Sequence, residues 1–478
     1  MIDRRGFLRL SAAGAATSVL AGCSTRGAEQ LSAKDSATGA LEVPLNPGEA
    51  DLDLGGVRVR TWAYNGQVPA NEIRLKKGQM LRVPVVNRLP AETSVHWHGL
   101  AIPNAMDGVP VLTQPAIAPG GTFTYEFAVP DAGTYYLHSH VGLQLDRGLY
   151  GPLIIEDPEE KADHDHELVV VLDDWIDGTG TTPDQVIEGL RARGMKSMAT
   201  TPGAGVTTVN PLGDDGGDVT YPYYLINGHV NTDPQVVDLT AGQRIRLRII
   251  NAGGDSAFRV GVPGSTLTVT HTDGYPVIPG QADAVVLGMG ERADAIVTVG
   301  ASVPLVAAAE RKDGYAQLNL RVAGPPSSVD VGRYVVALRA TAPLNTATLE
   351  PTPNVVLPQR DPNKVLDLQL AGPEKGYTWP INGKLYDPPN NGLDVTANER
   401  VRIRYVNTSR MFHPMHLHGH TFQVVGARGP GPRKDTVLVP PLQTLEVDFD
   451  TDNPGKWITH CHNDYHLDSG MATFIAYT

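Results

Sequence analysis

Histidines are concentrated in four short segments of this 478-residue chain. In a β-strand, residues i and i+2 point to the same face, so a His-x-His pair can present two imidazoles to one metal region. Four such pairs would supply eight imidazoles, which predicts a metal centre with nitrogen ligands. The pairs are His96 and His98, His138 and His140, His416 and His418, and His460 and His462.

Cys461 lies between two of these histidines, and strand alternation directs its side chain to the opposite face. We therefore expect it to bind a different metal ion. Together with His413, His466 and Met471 it offers two imidazoles, one thiolate and one thioether. This is the ligand set of a blue copper site with a weak axial methionine, and it does not suit zinc.

An internal repeat organises the chain. An Asn-Gly turn leads to a strand that ends in asparagine in three places, at Asn65 to Asn87, Asn227 to Asn251 and Asn382 to Asn407. The period of about 160 residues is that of a domain rather than of a solenoid unit. Alternating segments such as RIRLRII are typical of half-buried strands, so the repeat predicts an all-β protein of three β-sandwiches.

The repeat also predicts where the histidines meet. His96 and His98 occupy the place in domain one that His416 and His418 occupy in domain three, and the other two pairs correspond in the same way. Equivalent positions in related domains can face each other across a pseudo-twofold interface. We expect the eight imidazoles to converge between domains one and three, with domain two serving chiefly as a spacer.

The predicted boundaries are residues 1–23 for an export signal, 24–43 for a flexible tether, 44–160 for domain one and 161–324 for domain two. Residues 325–358, which are rich in proline, are expected to connect domain two to domain three at 359–478. A short helix is expected over 184–198, inside domain two. Its Met195 and Met198 would either capture Cu(I) or simply pack.

The first residues indicate export. Arg4-Arg5 followed by a short apolar run resembles a twin-arginine (Tat) signal, and Leu20-Ala21-Gly22-Cys23 resembles a lipoprotein cleavage box. The run is too short to span a bilayer. We expect the protein to reach the cell envelope and to be held at the membrane by a lipid anchor at Cys23. Ordinary signal cleavage further downstream is the alternative.

Composition excludes several functions. The formal charge is -13 without a dense Lys/Arg block, which argues against nucleic acid and anionic lipid surfaces as partners. Only two cysteines are present, and Cys23 belongs to the export signal, so the mature fold has no disulfide framework.

The four histidine segments, which end in HCHNDYHLDSGM, resemble the copper signatures of the multicopper oxidases, the laccase and cuprous oxidase family, and the resemblance extends over all three domains. It implies cupredoxin-like Greek-key β-sandwiches and four copper ions, one of type 1, one of type 2 and a type 3 pair. The type 1 ligands would be His413, Cys461, His466 and Met471, and the type 2 ligands His96 and His416. The type 3 pair would take His98, His138, His140, His418, His460 and His462.

The resemblance implies an oxidase that takes single electrons from a small reducing substrate and reduces O2 to water. That reduction consumes four protons, and Asp107 and Asp464 match acidic positions that family members use near the trinuclear cluster. The alternative is a turn aspartate and a surface aspartate. Because one chain contains both domains that build the cluster, a monomer is expected.

The electron donor remains open between a phenol or aromatic amine, as for laccases, and Cu(I), as for copper-tolerance oxidases. Cuprous oxidases often carry a methionine-rich insertion, which is not seen between domains two and three, and Ser409 stands where they place an acidic residue. An axial Met471 implies a low to moderate type 1 potential. A non-enzymatic copper-binding envelope protein is a further alternative, although the ligand set is complete.

Overall fold

The computed structural model describes residues 34–35, 39–161, 163–193, 205–427 and 429–478. The predicted export signal, with Cys23, and the two methionines Met195 and Met198 lie outside the described residues. The described part is built almost entirely of β-strands, which form two sheets in each of three successive units. Among its helices, none is long and apolar enough to cross a membrane.

Domain one contains the first ten strands. They are β1 (Lys34–Asp35), β2 (Leu41–Glu42), β3 (Pro47–Asp53), β4 (Arg58–Tyr64), β5 (Ile73–Lys76), β6 (Met80–Val86), β7 (His96–His98), β8 (Thr122–Ala128), β9 (Gly133–His138) and β10 (Tyr150–Glu156). One sheet has the order β1-β2-β6-β8 and the other β5-β10-β9-β7, with β3 and β4 forming a separate hairpin. A short 3-10 helix, Asn104–Met106, follows β7.

Domain two has the larger sheets, ordered β13-β12-β11-β15-β20-β17-β18 and β14-β22-β21-β16-β19-β23. Its elements are β11 (His166–Trp175), α1 (Pro183–Arg193), β12 (Tyr223–Ile226), β13 (His229–Val230), β14 (Val236–Leu239), β15 (Arg244–Asn251), β16 (Phe258–Gly261), β17 (Leu267–Thr272), β18 (Tyr275–Ala282), β19 (Val285–Leu287), β20 (Arg292–Thr298), β21 (Val303–Ala309) and β22 (Tyr315–Val322), and the connection that follows adds α2 (Val331–Ala340) and β23 (Leu344–Asn345). Helix α1 begins one residue before the expected helix and is described to Arg193.

The connection to domain three is more ordered than its proline content indicates. Helix α2 lies within it, capped by the Asp330 side chain, which accepts from the Arg333 N–H. Strand β23 pairs in parallel with β19 and so extends a sheet of domain two. Two 3-10 helices, Thr346–Thr348 and Pro353–Val355, complete the passage.

Domain three has two five-stranded sheets, ordered β24-β26-β31-β28-β29 and β25-β33-β32-β27-β30. Its elements are β24 (Lys364–Leu370), β25 (Leu393–Val395), β26 (Arg400–Asn407), β27 (His413–Leu417), β28 (Phe422–Gly426), β29 (Gly429–Lys434), β30 (Thr436–Val439), β31 (Thr444–Asp450), β32 (Lys456–Cys461), α3 (Asp464–Asp468) and β33 (Ala472–Tyr477).

The repeat seen in the sequence is a structural repeat. The three asparagines that open its copies, Asn65, Asn227 and Asn382, have φ between 52° and 53°, a left-handed conformation that asparagine tolerates. The asparagine that ends each copy is buried and uses its side-chain amide to bind the backbone, as Asn251 does with the carbonyls of Ser256 and Leu287, both at 3.0 Å. Each copy therefore holds the loop after its strand in the same way.

Strand β15 differs from the expected half-buried strand. Its outward-facing Arg246 and Arg248 are only 4% and 3% exposed. Both guanidinium groups bind Asp294, and the Thr134 hydroxyl of domain one donates to the same carboxylate at 2.6 Å. This face is covered by domain one, so the polar positions of the alternating pattern mark a charged interface between domains rather than a solvated surface.

Candidate metal centre

The eight predicted imidazoles lie on matching strands of domains one and three or within two residues of the strand ends. His96 of β7 stands opposite His138 of β9, and His416 of β27 stands opposite His460 of β32, in antiparallel register. The ring of His96 stacks on that of His418 at 3.7 Å, and the ring of His98 on that of His416 at 3.8 Å. The structure therefore brings rings from the two domains together as the repeat predicts.

The eight side chains divide into three groups whose ligand atoms lie within 4.8 Å of one another. We call them together the eight-histidine cluster. The groups are His98 with His138 and His462, His140 with His418 and His460, and His96 with His98 and His416. His140 is partly exposed and the other seven are buried. Each of the three groups combines two histidines of one domain with one of the other, so each group spans the interface between domains one and three.

In seven of the eight rings, all except that of His140, one nitrogen lies within hydrogen-bond distance of a protein group among the described residues. His96 Nδ1 lies 2.8 Å from the Asp107 carbonyl oxygen, His416 Nδ1 2.8 Å from the Asp435 carbonyl oxygen, and His138 Nδ1 2.8 Å from the Ser139 carbonyl oxygen. Such contacts fix the ring orientation and the tautomer of a histidine ligand. The second nitrogen is thereby left as a lone-pair donor.

Six ring nitrogens of the cluster are buried and have no hydrogen-bond partner within the described part of the chain. They are His96 Nε2, His98 Nδ1, His138 Nε2, His140 Nε2, His416 Nε2 and His462 Nδ1. A buried polar atom without a partner costs free energy, so such a concentration needs a ligand. Burial also lowers the pKa of His138, His140 and His462 well below the ordinary imidazole value, which keeps the rings neutral and able to bind metal. The cluster therefore fits metal ions of the imidazole-binding class, copper included.

Cys461 occupies a separate buried site with His413 and His466. Its Sγ lies 3.6 Å from Nδ1 of each histidine. The backbone N–H of Cys461 donates to the Met471 carbonyl oxygen at 3.0 Å, and the Met471 side chain is fully buried in the same core. Burial raises the pKa of the Cys461 thiol, so thiolate formation here requires a cation. We call these four residues the Cys461 site.

The outer faces of the two histidines in the Cys461 site are covered by different groups. His413 Nε2 lies 2.7 Å from the Ser409 hydroxyl, so Ser409 takes the position that the family resemblance reserves for an acid. His466 Nε2 lies 3.0 Å from a carboxylate oxygen of Asp218, which belongs to domain two. Trp379 stacks on the His466 ring at 3.8 Å. The side chain of Asp218 is 17% exposed whereas that of His466 is 0% exposed, so solvent approaches His466 through Asp218.

Asp107 lies inside the eight-histidine cluster. Its carboxylate oxygens are 3.1 and 3.0 Å from His418 Nδ1, and one of them is 3.2 Å from His96 Nδ1. The residue is 0% exposed and follows the 3-10 helix Asn104–Met106. A single carboxylate thus contacts histidines of two domains.

Asp464 begins helix α3 and is also buried, so the alternative of a surface aspartate is wrong. One of its carboxylate oxygens has no hydrogen-bond partner among the described residues. The side chain lines a cavity of about 250 Å³ together with His138, His140, His460 and His462. Burial raises the pKa of Asp464 well above its ordinary value. The Asp464 carboxyl therefore lies at the cavity beside the cluster, in surroundings that favour its protonated form.

Sequence reasoning missed the residues that support the ligands from a distance. Asp218, Arg292 and Asp435 reach the two sites through contacts across domain boundaries, and no spacing in the sequence marks them. Domain two supplies the first two, and its Gly290 packs against His462 and His98. The expectation that domain two is chiefly a spacer is therefore wrong.

Asp215, close to Asp218, allows a test of how the burial of a carboxylate near the Cys461 site affects the stability of the fold. Burial raises its pKa from 3.8 to about 6. A raised folded-state pKa means that the folded protein binds the proton more tightly, so the carboxylate destabilises the fold fully above about pH 6 and not at all below about pH 4. We expect Asp215→Asn to stabilise the protein by about 1 to 2 kcal/mol at pH 7, after allowance for solvent screening, and to have no effect near pH 4.

Urea unfolding midpoints at the two pH values would check this difference. Asp214→Asn is the matched control, because Asp214 is the exposed neighbour and pairs with Arg311 on the surface. Equal stabilisation by Asp215→Asn at both pH values would contradict the assignment of the effect to the buried carboxylate.

Comparison with known proteins agrees with this geometry. Family profiles described as multicopper oxidase match residues 48–160, 166–304 and 359–477. The multicopper oxidase MmcO of Mycobacterium tuberculosis is 44% identical over 499 aligned residues, which cover 99% of this chain and 96% of the relative. A copper resistance protein A homolog of Pseudomonas syringae pv. tomato is 27% identical, with 90% of this chain and 91% of the relative covered.

The fold agrees as well. The crystal structure of laccase from Botrytis aclada superimposes with a TM-score of 0.74 and 27% identity, covering 91% of this chain and 87% of the laccase. The prediction of an all-β protein with cupredoxin-like domains is confirmed. Because each domain matches the family and one relative matches along nearly the whole length, the chain belongs to the multicopper oxidases, a family of copper-dependent oxidoreductases.

Proposed function

We propose that this multicopper oxidase transfers single electrons from a small phenol or aromatic amine at the Cys461 site to the eight-histidine cluster, where O2 is reduced to water. One observation carries the proposal. Cys461 faces His413 and His466, whereas its neighbours in the chain, His460 and His462, belong to two different groups of the cluster. One tripeptide therefore joins both sites.

The copper assignment follows the geometry and the family resemblance. The Cys461 site would hold type 1 copper, with Met471 as the weak axial ligand. His96 and His416 would hold type 2 copper. The group of His98, His138 and His462 and the group of His140, His418 and His460 would hold the type 3 pair. When bound, these ions would supply one-electron oxidation at the first site and four-electron reduction of O2 at the second.

The protein's own contribution to electron transfer is a short covalent path. Cys461 is bonded through its backbone to His460 and His462, and it ends strand β32, which is paired on both sides with β27 and β33. His416 stands opposite His460 across the first of these pairings. The two sites are therefore held at a fixed separation by one sheet, and the covalent path between them passes through the backbone of Cys461.

The proton supply would come from the two buried aspartates. Asp464 faces the 250 Å³ cavity with an unpaired oxygen, which is the placement needed to deliver a proton to a reacting oxygen species or water. Asp107 touches His418 and His96, so it would hold these rings in place as well as accept and return a proton. The two acids would therefore serve different steps.

The surroundings of His466 favour a phenol or an aromatic amine as donor. Oxidation of either releases a proton as the electron leaves, and the partly exposed Asp218 carboxylate next to His466 can accept it. Tyr377 donates to the same carboxylate at 2.8 Å and holds it in position. Asp218 would therefore bind the donor's O–H or N–H group and place its ring near His466.

Cu(I) is the second candidate donor, because a similar protein is named copper resistance protein A homolog. The described surroundings of His466 offer carboxylates, whereas Cu(I) prefers thiolate and thioether ligands. Ser409 provides only a hydroxyl beside His413. Met195 and Met198 lie outside the described residues. The groups described around His466 and His413 therefore favour a phenol over Cu(I) as the donor.

Oxygen uptake by the copper-loaded protein with 2,6-dimethoxyphenol or Cu(I) as donor tests the proposal. We expect faster uptake with the phenol, and a KM for the phenol raised about tenfold by Asp218→Asn, since one charged hydrogen bond of about 1.4 kcal/mol would be lost. Asp238→Asn, which breaks an exposed pair with Arg321, is the control. Much faster uptake with Cu(I) would identify a cuprous oxidase, and no uptake with either donor would refute the oxidase.

We also propose that the chain works as a monomer at the cell envelope. Domains one and three of one chain complete the eight-histidine cluster, so no second copy is needed to build it. Export by the twin-arginine route and a lipid anchor at Cys23 are inferred from Arg4-Arg5 and Leu20-Ala21-Gly22-Cys23 alone.

A further inference from the structure

A buried ion pair that contacts the eight-histidine cluster joins all three domains. Arg292, the first residue of β20 in domain two, donates to both carboxylate oxygens of Asp435 in domain three at 2.7 and 2.6 Å. Its Nε–H donates to the Thr134 carbonyl oxygen of domain one at 3.1 Å. Both charged side chains are 0% exposed. This two-point geometry fixes the plane of the Asp435 carboxylate.

Asp435 in turn contacts two histidines of the cluster. One carboxylate oxygen lies 3.0 Å from His98 Nε2, and the Asp435 carbonyl oxygen lies 2.8 Å from His416 Nδ1. The Thr436 hydroxyl contacts the same two nitrogens, since it lies 3.1 Å from His98 Nε2 and 3.1 Å from His416 Nδ1. A carboxylate can only accept, so His98 carries its proton on Nε2 and leaves Nδ1 as the donor for metal.

The other ring nitrogen of His98 and of His416 is among the cluster nitrogens that have no hydrogen-bond partner in the part of the chain described. His98 Nδ1 and His416 Nε2 are both buried and unpaired within the described residues. His98 also belongs to two of the three groups, one with His96 and His416 and one with His138 and His462. The orientation of this single ring therefore affects the type 2 position and one type 3 position together.

Glycine backbone lies close to the ion pair and to the cluster, at positions where a side chain would not fit. A Cβ atom at Gly99 would lie 2.6 Å from Arg292 Nη2 and 2.6 Å from an Asp435 carboxylate oxygen, and Gly99 has a φ of +89°. At Gly290, a Cβ atom would lie 2.8 Å from His462 Cδ2. Asp273 accepts from the Arg292 backbone N–H at 2.9 Å and from the Asp435 and Thr436 N–H groups. Domain two therefore packs closely against the residues that support the eight-histidine cluster.

We propose that Arg292 is a positioning residue for the trinuclear copper centre. It acts through the Asp435 carboxylate, which fixes the orientation and tautomer of His98 and whose oxygen, 3.5 Å from His416 Nδ1, also supports the orientation of the His416 ring. The inference rests on the proposed copper assignment and deepens it. It gives domain two a defined part in metal binding, because its arginine sets the geometry of ligands that belong to the other two domains.

The test is Arg292→Lys in the full-length, copper-loaded protein. Lysine keeps the charge but cannot grip both oxygens of Asp435, so the carboxylate can rotate. We expect type 2 copper to be retained about 10- to 100-fold less tightly in chelator competition, with an altered type 2 electron paramagnetic resonance signal, while the blue type 1 absorption is unchanged. Asp435→Asn should reproduce these changes, and it decides the question if Arg292→Lys does not fold.

Arg259→Lys is the matched control. Arg259 and Glu310 form another buried ion pair of domain two, 2% and 3% exposed, and it lies outside both metal sites. Its loss should lower the unfolding temperature and leave the type 2 signal as it is. Unchanged copper retention and an unchanged signal in folded Arg292→Lys would overturn the inference. A wild-type protein without type 2 copper would overturn the proposed function and the inference with it.

Discussion

Cys461→Ser is expected to abolish the blue absorption of type 1 copper and to reduce donor-driven oxygen uptake by at least about 10³-fold. The hydroxyl is nearly the size of the thiol, but it is a poor ligand for a soft cation and does not ionise in a buried site. Since Cys461 Sγ is 3.6 Å from both His413 Nδ1 and His466 Nδ1, its loss removes the central ligand of that site. The eight-histidine cluster keeps all its residues, so copper content should fall from about four ions to about three.

The measurements are the visible spectrum, the copper content per chain and the rate of oxygen uptake with 2,6-dimethoxyphenol. Thr459→Ser is the matched control on the same buried strand, because it keeps the hydroxyl that donates to the His416 carbonyl oxygen at 2.9 Å. It should retain the blue band. Oxygen uptake by Cys461→Ser at the wild-type rate would show that electrons reach the cluster by a route other than the Cys461 site.

Much of the site could be predicted because its ligands follow short-range rules. The His-x-His spacing depends only on strand alternation, and the repeat places His96 and His416 at equivalent positions in two sandwiches. The structure then stacks His96 on His418 and His98 on His416, which is the convergence that the repeat implies. Local period and internal homology are sufficient for this part of the prediction.

The supporting groups could not be predicted, because they depend on how the domains pack. Arg292 and Asp435 are 143 residues apart, and His466 and Asp218 are 248 residues apart. Their residue types are equally suited to a solvated surface, where an ion pair contributes little. The same limit applies to Arg246 and Arg248, whose alternating pattern predicts exposure although domain one covers them.

The second large effect is expected for Asp464→Asn. If the carboxyl delivers a proton during O2 reduction, its loss should slow reoxidation of the reduced enzyme by about 10²-fold, since proton transfer by a positioned side chain contributes 10²- to 10⁴-fold. The reductive half of the cycle should be unaffected, because Asp464 lines the cavity beside the cluster, whereas the proposed entry point of the electron is His466 at the Cys461 site. Stopped-flow bleaching of the blue band without O2, and its recovery after mixing with O2, would measure the two halves separately.

Two variants make the Asp464 result specific. Asp468→Asn alters an acid of the same cavity that pairs with Arg191 at the surface, so its reoxidation should stay near the wild-type rate. Asp107→Asn should slow reoxidation and also weaken copper retention, because Asp107 touches His418 and His96, whereas Asp464→Asn should keep its copper. Recovery of the blue band at the wild-type rate in Asp464→Asn would exclude this carboxyl as the proton donor and leave Asp107 as the proposed proton donor to test.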